Sequence, residues 1–133
     1  MKTKKGLTLA ELLMAAVILA LACLILFLLF ANCIILNERS RSLTTAVSHA
    51  QYVMEDIKNN VSSNLHSQIS NGRWNWDCAN IEEQGLDVLD QETIETQSTV
   101  VASGFLDIVV GVAWQDRALR QQNMTLETLI IEQ

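Results

Sequence analysis

The chain has 133 residues, 50% of them hydrophobic, with 15 acidic side chains against 9 basic ones and a formal net charge of −6. That length accommodates one compact domain beside a membrane segment and little more. The acidic balance excludes a nucleic-acid-binding surface of the usual kind: beyond the amino-terminal lysines, the cations Arg39, Arg41, Lys58, Arg73, Arg117 and Arg120 are scattered along the sequence and outnumbered, so no stripe releases phosphate counterions. Cysteine use excludes a disulfide framework, because Cys23 and Cys33 lie in an apolar run and Cys78 stands alone in the polar part. There it is expected as a buried small hydrophobe, with an intermolecular bridge or a reactive thiol as the alternatives.

Residues 1–5 form a short basic head, followed by Gly6 and then by an apolar run, residues 12–36, that holds no charged side chain. At a rise of about 1.5 Å per residue this run is long enough to cross a bilayer as a helix, which takes about 20 apolar residues. The lysines favour the cytoplasmic side, so the amino end is expected inside and the carboxy-terminal domain outside. A secretory signal would have a shorter apolar core, a small-residue cleavage site and polar sequence soon after, whereas here the apolar run continues. Ala20-Leu21-Ala22-Cys23 has the outline of a lipoprotein box, but a cut there would leave residues 24–36 as an oily mature terminus. Glu11 stands at the edge of the hydrocarbon, where a carboxylate is costly unless it is paired, protonated or among headgroups. Thr8 and Glu11 have the spacing of a capping box, in which each side chain takes an orphan amide of the first helical turn.

Lys4-Lys5-Gly6-Leu7-Thr8-Leu9-Ala10-Glu11, directly ahead of the apolar run, resembles the processing site of type IV prepilins and pseudopilins. The resemblance implies that prepilin peptidase cuts between Gly6 and Leu7, that Leu7 is N-methylated, and that residues 1–6 are a leader. Residues 7–36 are then the transmembrane and assembly helix, and residues 37–133 a soluble pilin-like domain. It also implies an assembly role for Glu11, facing the free amine on Leu7 of a neighbouring subunit, which is compatible with capping in the monomer. Loss of Lys2, Lys4 and Lys5 would take the formal charge from −6 to −9. Major pilins often carry a proline inside the apolar helix; this chain has none, which points to a minor component.

Beyond residue 36, Leu43, Val47, Ala50, Met54, Ile57, Val61 and Leu65 recur at helical spacing among polar residues, so one helix is expected to run from Leu7 to near Leu65. AQYVMEDIKNNV, residues 50–61, is similar to the helix of PilV-type minor pilins and of the I-type pseudopilins of type II secretion. Residues 62–80 bring Ser, Asn, Gly and the clustered Trp74 and Trp76 and read as a connecting loop, the tryptophans either packing it onto the helix or marking a partner surface. Residues 100–102, 106–114 and 124–131 are β-branched and apolar runs expected to form a small antiparallel sheet, with residues 116–122 joining the last two strands. Alternation in Met124, Leu126, Thr128 and Ile130 offers one face to the helix while Glu127 points away. VGVAWQDRALRQQNMTLETLI resembles the closing hairpin of PilV-type minor pilins. The fold class expected is α+β: a long amino-terminal helix, its first half transmembrane, whose soluble half packs on a small carboxy-terminal antiparallel sheet.

No catalytic constellation is visible. His49 and His66 have no cysteine, serine or carboxylate at a recognised spacing and are expected on the polar surface. Asp87, Asp90 and Glu92 are oxygen donors close in sequence, and some pseudopilins use such a loop for calcium, but the glycine-bearing spacing of an EF-hand is absent, so a solvated acidic loop without a metal is expected. The function expected is structural, without cofactor or enzymatic activity: a minor type IV pilin or pseudopilin whose partners are other pilin or pseudopilin subunits, prepilin peptidase, the inner-membrane assembly platform and membrane lipid. It would reside in a bacterial inner membrane and then in a pilus or pseudopilus. The alternative is a permanently membrane-anchored extracytoplasmic binding or sensing domain.

Overall fold

The computed structural model describes residues 8–62, 64–102 and 104–131. The elements, in chain order, are α1 (Leu9–Asn59), α2 (Leu65–Ser70), β1 (Trp76–Asp77), α3 (Cys78–Glu83), β2 (Thr93–Ala102), β3 (Phe105–Gln115) and β4 (Gln121–Ile131). The chain divides into two compact units, Met1–Glu38 and Arg39–Gln133. The first carries the apolar part of α1. Leucine and alanine dominate it, and neither glycine nor proline interrupts the sequence between Leu9 and Asn59, so propensity favours an unbroken helix. Its apolar side chains are exposed all round, and α1 is long and apolar enough to cross a membrane.

The second unit is a four-stranded antiparallel sheet, in the order β1-β2-β3-β4, with the remainder of α1 packed on one face. β3 is central. Its Leu106, Ile108, Val110, Val112 and Trp114 alternate inward, and all five are buried. Opposite them α1 buries Ala46, Ala50, Val53, Met54 and Ile57. The buried stripe of α1 is thus centred on 46, 50, 53 and 57. Leu43, expected in the stripe, remains 47% exposed on its flank. On β4, Met124, Leu126 and Thr128 are half-buried, Ile130 is buried and Glu127 is exposed, the alternation read from the sequence.

Three expectations about extent require correction. α1 ends at Asn59 rather than near Leu65. There the Asn60 side-chain amide bonds the Asp56 carbonyl at 2.8 Å and the Asp56 carboxylate at 3.1 Å, a local polar alternative to further helix. Residues 62–80 are no simple loop: they hold α2, whose Leu65 and Ile69 enter the core, and β1. β2 begins at Thr93, well before residue 100, because its pairing with β3 is fixed by Ile94 and Thr96 facing inward while Glu95 and Gln97 face out, a polar-rich pattern with weak apolar signal. α3 starts with a reciprocal capping box, Asp77 accepting from the Asn80 amide at 3.0 Å and Asn80 from the Asp77 amide at 3.3 Å.

Candidate functional site

Of the residues singled out at the amino end, Gly6 and Leu7 lie outside the described residues. Glu11 is in the first turn of α1 and closes a capping box with Thr8. The Thr8 amide donates to Glu11 Oε2 at 3.0 Å, the Thr8 hydroxyl donates to the same oxygen at 3.2 Å, and the Glu11 amide donates to Thr8 Oγ1 at 3.3 Å. This satisfies two orphan donors and places a negative charge at the positive end of the helix dipole, together worth about 1–2 kcal/mol of helix stability. Glu11 is exposed, so in the isolated chain its carboxylate is reachable by a cation approaching the helix start. Residues 12–36, following it, present no other charge.

In the second unit the two histidines are not the surface residues expected. His49 is 3% exposed, and its Nδ1 lies 2.7 Å from Oε1 of Glu92, which is itself 0% exposed. The other carboxylate oxygen accepts the Leu89 amide at 2.9 Å. Glu92 is therefore not part of a solvated acidic loop, whereas Asp87 and Asp90 are exposed. The sequence did hold a signal for His49, which shares the helical face of Ala46, Ala50 and Val53; nothing in it pointed to Glu92, 43 residues away. His66 is half-buried with Nδ1 2.8 Å from Ser98 Oγ.

Trp74 is a core residue, and its Nε1 donates to Asp56 Oδ2 at 2.7 Å, while the Arg73 guanidinium sits 4.9 Å over its ring. Trp76 is half-buried, its ring centroid 6.0 Å from that of Tyr52 on α1. Both tryptophans thus fasten the segment after α2 onto the helix. Cys78 is half-buried, and its thiol donates to the Glu92 carbonyl at 3.2 Å. Among the described residues no group of three His, Cys, Asp or Glu side chains could hold a metal ion.

Sequence reading also missed a charge arrangement in the turn between β3 and β4. Asp116 Oδ1 accepts the amides of Ala118 at 2.9 Å and Arg120 at 3.0 Å, and Oδ2 pairs with the Arg120 guanidinium at 3.0 Å and lies 3.9 Å from Arg39 at the start of the unit. Cations scattered in sequence are thereby brought together. No family model, curated protein or solved structure matches the chain.

Proposed function

We propose that the chain is a minor type IV pilin or a pseudopilin, a structural subunit that works by assembly rather than catalysis. It is inserted in a bacterial inner membrane with its amino end inside, cut by prepilin peptidase between Gly6 and Leu7, methylated at Leu7, and drawn by an assembly platform into a filament of like subunits. The observation that carries this reading is the position of Glu11: a single carboxylate in the first turn of a helix whose residues 12–36 are uncharged, directly after Lys4-Lys5-Gly6-Leu7. An α+β domain with the later part of α1 against an antiparallel sheet supports a pilin-like layout.

Glu11 is suited to a change of partner. In the monomer it is held by neutral donors worth about 1 kcal/mol. Between packed helices an amine about 4 Å away would attract it by about 4 kcal/mol at an effective dielectric of 20. The amine on Leu7 exists only after cleavage, so processing and assembly are coupled through one ion pair. Mass spectrometry of the amino terminus in sheared filaments tests the reading: a chain beginning with N-methylated Leu7 is expected, and assembled material beginning at Met1 overturns it.

One observation favours the second reading, a permanently membrane-anchored extracytoplasmic binding or sensing domain. The complete Thr8–Glu11 capping box gives Glu11 a role that needs no neighbouring subunit. On that reading residues 1–6 stay attached, and the amino-terminal measurement separates the two.

A further inference from the structure

We propose that the turn between β3 and β4, together with the first residues of the Arg39–Gln133 unit, is a docking face for the anionic phospholipid headgroups of the bilayer that residues 12–36 enter. The proposal rests on reading residues 12–36 as a membrane span, and it concerns the subunit while it is in the membrane.

Charge is the first observation. Of the six Lys and Arg in residues 39–133, four are at this end: Arg39 and Arg41 on α1, and Arg117 and Arg120 in the turn that Asp116 holds beside Arg39. All four are exposed. The acids here are Asp116 itself, Glu38 just before Arg39, and Asp90, whose backbone carbonyl accepts the Gln115 amide at 2.8 Å. The rest of residues 39–133 has two cations, Lys58 and Arg73, against eleven of the thirteen acids. A domain so polarised is turned by a negative surface potential with its arginine end toward the bilayer. Guanidinium groups also match phosphate oxygens in geometry, through paired N–H donors.

Position is the second. Arg39 follows Leu36 by three residues, so at most about 10 Å of chain separates Arg39 from the last apolar residue of the span, which keeps that arginine within reach of the headgroup layer.

The turn tip is the third. Leu119 is 74% exposed, between Ala118 and Arg120, and has φ +57, a conformation that glycine adopts freely and a leucine does not. Neither burial in the domain nor backbone preference accounts for a leucine there. An apolar tip flanked by arginines has the composition of an interfacial anchor, the side chain entering the boundary between headgroups and acyl chains while the cations hold phosphates. The tip is also stiff: the Leu119 amide donates to the Asp116 carbonyl at 2.8 Å, the Asp116 amide to the Arg120 carbonyl at 2.9 Å, and Gln115 Nε2 to the Leu119 carbonyl at 3.2 Å. Little freedom is lost when such a turn docks.

The test is amide hydrogen exchange of the full chain in nanodiscs of phosphatidylcholine alone and of phosphatidylcholine mixed with phosphatidylglycerol. Exchange in residues 116–121 is expected to be about fivefold slower in the anionic discs, a difference that disappears in about 1 M salt, where the Debye length falls to about 3 Å. Leu119→Ser and Arg41→Gln, whose side chains are exposed, should each reduce the protection without changing exchange in β3. Equal rates in the two discs, with the chain retained in both, overturn the docking face and leave the span intact. Failure of the chain to stay with the discs removes the span and the proposal together. Protection that is indifferent to lipid charge and grows with the number of chains per disc assigns the turn to a second copy and likewise overturns the proposal.

Discussion

Glu11 has two possible partners of unequal strength, and a neutral isostere separates them. Glu11→Gln keeps the shape and the ability to accept from the Thr8 amide, so a residue that served only as a cap should be replaced with little loss. If an amine is the partner in the filament, the same change should cut incorporation into sheared filaments at least tenfold at equal membrane levels, with peptidase cleavage and insertion unchanged. Quantitative blotting of filament and membrane fractions decides it. In the core, His49 and Glu92 form a buried polar pair that ties α1 to the residue preceding β2. Removing the imidazole strips an enclosed carboxylate of one partner, so His49→Ala should destabilise the protein by about 3 kcal/mol. Chemical unfolding in detergent should read that as a lower midpoint with an unchanged slope.

At the level of elements, the core joins Ala46, Ala50 and Val53 of α1 with Leu106, Ile108 and Val110 of β3 in one buried cluster. Ala46 is fully buried, so Ala46→Leu adds side-chain volume inside the packed core and should cost about 1–3 kcal/mol through overpacking, measurable as a lower melting temperature. The same cluster explains what could be read in advance. β3 and β4 were legible because period-two alternation coincides with real burial, as in Leu106, Ile108 and Val110. α1 was legible from its apolar run and helical period, and Ala50, Met54 and Ile57 of the expected stripe are buried, but Leu43 and Val47 were read into it ahead of Ala46 and Val53 because leucine outweighs alanine in hydrophobicity. β1 and α2 are too short for any period to register, and β2 takes its register from β3 rather than from its own apolar content. Of the candidate sites, Glu11 was visible as a local spacing. The Arg39–Asp116–Arg120 grouping was not, because it depends on tertiary placement of a turn 77 residues along the chain from the helix position it meets.

For the whole molecule, the division of the chain after Glu38 implies that residues 39–133 hold their own core, with side chains from α1, α2, β2, β3 and β4 closing on one another. A chain beginning at Asn37 should therefore be a folded monomer, giving a mixed helix and strand circular dichroism spectrum and well-dispersed amide shifts; a disordered or wholly helical spectrum would count against an independent domain. Strand order in the sheet follows chain order, so every strand pairs with its neighbour in sequence. Such a meander grows by simple addition, with short loop closures and no strand waiting for a distant partner. On the proposed topology, with the amino end inside and residues 37–133 carried across the membrane in chain order, that ordering becomes a timetable. The helical face of Ala46, Val53 and Ile57 emerges before anything can cover it, β2 arrives with only Ile94 and Thr96 to contribute, and the core can close only once β3 has passed through. On that topology the interval of vulnerability to proteolysis and mispairing shortens with the emergence of residues 105–115 and ends with β4, the last strand to arrive, whose Ile130 completes the core.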